Sequence, residues 1–412
     1  MLERINSYIW GNGLIFLILI TGILYTVRLG FIQIKIFPYF FKKFRRNKNK
    51  REQFGTFCMS LGTAMGTGNI TGVASAIRIG SAGAVFWMWI SAILGMSVVY
   101  AENFLSARYS TDEIRGPMAY IRFGLNCRPL SYFFAICCVF ASFGMGGAAQ
   151  ISTLSDNLYQ CTHINHVLLA GLIFILIFVI IQGGAERISC AAKVLLPAAS
   201  VIYTVICIAS VMLNRHALPA VLSDIFEQAS GVKQVFGGFT GYTVSKTVSV
   251  GLRRGIFSNE AGLGSSPILH SSSKNYSSYK VQGMCSMLEV FIDTMLCCTL
   301  TAAAVLCSSG DPTVYSALRP VTGANTNFII ALLMAVFAFC TVIGWSYCGS
   351  AAFSYIFKCR RSVFPAIYAV ISASGAVIRS ETVWTVSDIF NGLMAFPNII
   401  ALLLLIGQVK KE

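Results

Sequence analysis

The chain runs to 412 residues, 56% of them hydrophobic and only 11% charged, with a net charge of +15 and a mean hydropathy of +0.70. Soluble domains carry roughly a quarter charged residues, so the composition excludes a soluble globular protein and leaves a polytopic membrane protein. The positive balance is the usual excess of lysine and arginine in cytoplasmic loops; without a basic patch interleaved with aromatics, no nucleic-acid partner is expected.

The N-terminus does not read as a signal peptide, because Glu3 and Arg4 precede the apolar run and no small-residue cleavage site follows. At about 20 apolar residues per crossing, about eleven membrane helices are expected. Their approximate limits are 11–30, 54–79, 84–106, 130–155, 166–182, 193–213, 241–265, 281–307, 326–357, 363–379 and 384–407. The loop after the first span holds Lys42, Lys43, Arg45, Arg46, Lys48, Lys50 and Arg51, a density that belongs to the cytoplasm and puts the N-terminus outside. Alternate later loops agree. They carry Arg108, Arg115, Arg122 and Arg128; Arg187 and Lys193; Lys274 and Lys280; Lys358, Arg360 and Arg361; and Lys410 and Lys411 at a cytoplasmic C-terminus. The opposite loops carry Asp224, Glu227, Asp311 and Glu381.

The second span is interrupted by Gly62-Thr63-Ala64-Met65-Gly66-Thr67-Gly68-Asn69-Ile70-Thr71-Gly72. Irregular backbone at membrane depth persists only where protein or a wet cavity satisfies its polar groups. The seventh span is interrupted in the same way, at Gly251 through Pro267, a stretch that includes Arg253, Arg254, Asn259 and Glu260. With the first helix set aside, ten spans divide into two groups of five, and these two would start from opposite sides. Paired interruptions in inverted halves mark a transporter's binding site. The expected division is 1–52 for the extra helix and basic loop, 53–213 for one repeat, and 214–412 for its inverted counterpart. The 14 cysteines include Cys137-Cys138 and Cys297-Cys298, without CxxC or HExxH, so they read as small buried apolar residues rather than as zinc or disulfide sites.

A half-helix that follows a break offers free N–H groups and the positive end of its dipole. Thr67, Gly68 and Asn69 would receive a carboxylate there, while Phe257, Ser258 and Asn259 at the second break would offer oxygens to an ammonium, with room at Gly262. A zwitterionic amino acid fits this pairing. Gly62xxxGly66 and Gly68xxxGly72 equally fit helix packing. Asp293, an acid in mid-span, and Glu260 are candidates for coupling or gating, with Arg253 and Arg254 as ion-pair partners for Glu260.

The runs GTGNITGVA, GAVFWMWISAILGM and RRGIFSNEAGLGSSP resemble signatures of the alanine or glycine:cation symporter family. The resemblance continues in Phe291–Thr294, Phe337–Tyr347 and Val386–Met394, nearly the length of the chain. It implies an all-α membrane protein of the leucine-transporter-type five-plus-five inverted repeat, within the amino acid–polyamine–organocation superfamily. It further implies a multi-pass protein of the plasma (inner) membrane that imports small neutral amino acids with sodium. Thr63, Thr71, Thr341 and Trp345 would complete the pocket. By analogy with the fold, sodium would meet the carbonyls of Ala64 through Gly66 and the Thr341 hydroxyl. Thr71 stands where a small apolar residue is common. Proton coupling through Asp293 or Glu260 is the alternative. An intramembrane enzyme built on His270 near Ser258 and Ser265 is remote, since no GxSxG motif is present.

Overall fold

The computed structural model describes residues 2–36, 38, 50–230, 240–272, 279–308, 310–358, 363–378 and 380–410. Most of the basic loop after the first span lies outside them, as do Lys274, Arg360, Arg361 and Lys411. The described chain is helical: α1 Leu2–Ile9, α2 Asn12–Arg28, α3 Lys50–Ala64, α4 Thr71–Gly80, α5 Gly83–Tyr109, α6 Arg128–Phe143 and α7 Ala149–Thr162. Then follow α8 His166–Ile181, α9 Gly184–Leu213, α10 Leu218–Ser230, α11 Thr240–Asn259, α12 Ser265–His270 and α13 Tyr279–Val290. The last are α14 Thr299–Cys307, α15 Val314–Thr322, α16 Thr326–Phe357, α17 Phe364–Ser374 and α18 Ser380–Leu404.

Among the described residues, seven helical stretches are long and apolar enough to cross a membrane, and α8 and α17 are shorter apolar helices. The two interrupted segments are absent from that set for physical reasons: the first break leaves helices of only 15 and 10 residues, and α11, at 20 residues, carries Lys246, Arg253 and Arg254. Two helices, α10 and α15, fall between the expected spans. They are too short to cross a bilayer and bury one face only, through Val221, Ile225 and Ala229 in α10 and Val314, Ala317 and Leu318 in α15. Large apolar side chains face outward on α8 and α9, among them Leu168, Leu172, Ile175, Val201, Val205 and Met212. So wide an apolar surface suits lipid and not water.

Inside, α5 packs chiefly on α11 and α13, and α16 on α6, α7, α9 and α3. Small residues permit these approaches: a Cβ on Gly255 would lie 2.6 Å from the Ser91 side chain, and one on Gly62 would lie 3.2 Å from Cys340. Two wide turns interrupt the helices, Gly144–Ala148 between α6 and α7 and Phe291–Cys298 between α13 and α14. Such π-helical insertions re-aim the side chains around them. Here they serve Gln150 and Asp293.

Candidate functional site

The first break spans Met65 to Ile70. Gly66 is extended, Thr67–Asn69 form one 3-10 turn, and α4 resumes at Thr71. Its polar groups are met by side chains from distant helices. Gln150 Oε1 accepts from the Thr67 amide at 3.1 Å and from the Thr67 hydroxyl at 2.9 Å. The amide oxygen thereby takes up both donors of Thr67. Thr341 Oγ1 donates toward the carbonyls of Gly62 at 3.1 Å and Met65 at 3.3 Å, gathering three oxygens at one point. The Ala64 carbonyl accepts from the Gly66 amide at 2.9 Å, and the Gly66 carbonyl from the Asn69 amide at 3.3 Å. Gly68 borders open space, with nothing within 4 Å of the position a Cβ would take.

Asp293 joins this break to the helix that leads into the second. Its carboxylate is fully buried and accepts from Asn69 Nδ2 at 2.6 Å, Ser258 Oγ at 2.5 Å and Thr294 Oγ1 at 2.9 Å. Asn69 Oδ1 is buried beside it and, among the described residues, has no donor. A buried amide oxygen without a donor, next to a carboxylate, is costly unless a cation or water faces it.

The second break is made differently. Glu260, Gly262 and Gly264 all take positive φ, at 52°, 86° and 84°. The Ala261 amide donates to Asn259 Oδ1 at 3.0 Å, which uses that oxygen for the turn. Glu260 turns inward, where Trp345 Nε1 donates to it at 3.1 Å and Ser265 donates to its other oxygen. The arginines expected to pair with Glu260 go elsewhere, because they lie on α11 before the turn and Glu260, itself left-handed, opens it. Arg253 meets Asp388 at 3.1 Å, and Arg254 Nε donates to the Gly72 carbonyl at 2.9 Å.

Several expected site residues point into packing instead. The Phe257 ring lies tilted against Trp10, with centroids 4.6 Å apart. A Cβ on Gly262 would meet Ile399 at 2.8 Å and Ile18 at 3.7 Å, so this glycine borders α18 and α2. Thr63 is buried and donates to the Met59 carbonyl at 2.6 Å, filling the space left by Gly344. Trp345 is wholly buried and lies over Gly146. Thr71 donates to the Thr67 carbonyl at 3.0 Å and lines a separate cavity toward the far end of α4.

Residues outside the sequence reading complete the surroundings. Gln150 is one, signalled only by the glycine run just before it. Glu289 is another, an intramembrane acid that the rule selecting Asp293 would equally have selected. It accepts from Ser60 at 2.7 Å, and His270 Nε2 lies 2.7 Å from its other oxygen. Glu260, Glu289 and Asp293 all line one small cavity of about 10 Å³, close to the space of a single water. Glu102 accepts from Asn398 at 2.5 Å, and Asn398 also donates to the Gly262 carbonyl at 2.9 Å.

A family model described as "Sodium:alanine symporter family" matches residues 1–412. An uncharacterized transporter of Haemophilus influenzae is 36% identical over 98% of this chain and 92% of its own. The sodium/alanine symporter AgcS of Methanococcus maripaludis is 32% identical over 100% of this chain and 96% of its own. The probable sodium/glutamine symporter GlnT of Bacillus subtilis is 34% identical over 97% and 87%. Among solved structures, a manganese transporter of Eremococcus coleocola has a TM-score of 0.56 at 15% identity, over 86% of this chain and 77% of that one. A Na+-coupled sialic acid symporter has a TM-score of 0.52 at 14% identity, over 95% and 82%.

Proposed function

We propose that this chain, which belongs to the sodium:alanine symporter family, imports a small neutral amino acid together with sodium by alternating access. It is a transporter and not an enzyme, as its relatives are. The proposed frame is eleven spans, with the N-terminus outside and the C-terminus inside. Ten of them form the inverted repeats 53–213 and 214–412, and one repeat rocks against the other around the two breaks.

The observation that carries the reading is the Asp293 cluster. One buried carboxylate holds Asn69 of the first break and Ser258 ahead of the second, and Asn69 Oδ1 is left as an unmatched acceptor beside it. Sodium favours oxygen ligands in a cavity too tight for competing water. Asn69, Ser258 and Asp293 would supply such ligands. Thr341 with the Gly62 and Met65 carbonyls forms a second oxygen cluster of the same character. Bound cation at Asp293 would tie the two breaks together, which links ion binding to closure around the substrate.

The substrate carboxylate is assigned to the Thr67 amide and the space beside Gly68. The Gln150 amide oxygen holds that donor and would swing aside for it. The lack of bulk at Gly68 and the wholly buried Trp345 favour alanine or glycine over larger amino acids.

The test is uptake of labelled alanine and glycine by purified protein in vesicles, with either a sodium gradient or a pH gradient imposed. Sodium-driven accumulation at fixed pH is expected. Accumulation driven by the pH gradient and indifferent to sodium would replace the ion and leave symport in place.

A further inference from the structure

We propose that the outer end of the molecule carries a second amino-acid site, in which Arg78 holds the substrate's carboxylate before it reaches the first break. The inference deepens the symport reading and rests on it.

The site is a cavity of about 280 Å³ between α4, α7, α15 and the start of α16. Thr71, Ser75 and Arg78 line it from α4. At spacings of four and three they share one helix face. Asn157 and Gln160 line it from α7 and Asn327 from α16. By the alternation of basic loops, each of these helix ends lies on the outer side. Thr71 is the inner limit, bonded directly to Thr67 of the break. Arg78 lies seven residues along the helix, roughly 10 Å nearer the solvent at 1.5 Å per residue. A ligand there would have one short step to the Thr67 amide.

The chemistry of the lining selects the ligand. Arg78 is exposed, and among the described residues no carboxylate pairs with it. No acid lines the cavity. Its planar guanidinium presents paired donors that match a carboxylate. The amide oxygens of Asn157, Gln160 and Asn327 are acceptors suited to an ammonium. The volume is ample for a small hydrated amino acid. Positive potential at the mouth of a cleft also raises the capture rate of a carboxylate.

Cys161 lines the same cavity and serves as a reporter. The experiment uses the full chain in cells or vesicles, treated from outside with an anionic, membrane-impermeant methanethiosulfonate. Modification of Cys161 is then followed by peptide mass spectrometry. Saturating alanine is expected to slow modification at least threefold in the wild type and not in Arg78→Gln. The same variant should raise the uptake KM by up to roughly fivefold, the range of an ion pair open to water, with the maximal rate within twofold. Failure of the reagent to reach Cys161 from outside would overturn the proposal. So would equal modification with and without the amino acid, or an unchanged KM in Arg78→Gln. Absence of sodium-driven uptake in the wild type would instead count against the symport reading, and protection of Cys161 would still be measurable.

Discussion

The two breaks are built on opposite plans. The first is held open from outside itself: Gln150, Thr341, Thr301 and Asp293, from four other segments, meet its amides, carbonyls and Asn69. Open space remains beside Gly68. The second is a closed turn made of three positive-φ residues, and its acid is held by Trp345 and by Ser265 of the following turn. One break has its donors held by side chains from other helices. The other has its backbone fixed by local geometry. On the proposed function, recognition falls to the first and the hinge or clamp to the second.

Asp293 belongs to both, so its substitution should have the largest effect. Asp293→Asn removes the charge that three donors hold, each worth roughly 1.5–3 kcal/mol. Sodium-driven uptake is expected to fall more than a hundredfold and to lose its dependence on sodium, as read in vesicles at varied sodium. A variant with normal sodium dependence would remove Asp293 from the coupling role. Next is Gly264→Ala. A methyl there would lie 2.5 Å from Pro117 and 3.0 Å from Phe134 at a φ of 84°. Roughly 2–4 kcal/mol should be lost, visible as a lower thermal unfolding temperature in detergent. Trp345→Phe removes the indole donor to Glu260 and should cost about 2 kcal/mol in the same assay. It should also relax selectivity toward larger amino acids.

Gln150→Glu separates the two breaks most cleanly. It places a carboxylate on the Thr67 amide, where the substrate's own is assigned. KM for uptake should rise roughly tenfold, about 1.4 kcal/mol, with thermal stability unchanged. The smallest effect is expected of Gly68→Ala, whose methyl meets nothing within 4 Å. Its stability should stay within about 0.5 kcal/mol of wild type, whereas Gly68→Leu should block uptake by filling that space. Equal instability in Gly68→Ala and Gly264→Ala would erase the distinction between an open site and a closed turn.

Much of this was legible in the sequence because membrane-depth anomalies are rare. Glycines, Asn69 and Asp293 stand out against an apolar background, and the expected spans overlie helical segments, the second and seventh of them broken, with seven stretches among the described residues long and apolar enough to cross a membrane. What was not legible is where side chains go after a turn. Glu260 and Arg253 look like partners in sequence, yet the left-handed turn at Glu260 sends them to Trp345 and Asp388. Phe257 and Gly262 look like pocket residues beside a break, but they pack on the N-terminal segment and on α18. Gln150 had no local signal beyond the glycine run before it, because its role depends on a π-helical turn that aims it across the bundle at Thr67.

The sequence by itself determined the helical membrane class, the family and the positions of both breaks. Hydropathy and backbone propensity are local, and a bilayer enforces them strictly. Only the tertiary structure decided which polar groups meet. Asn69 and Asp293 are 224 residues apart, and Gly62 and Thr341 are 279 apart. Such contacts follow from how helices pack, and no local pattern in the chain encodes them.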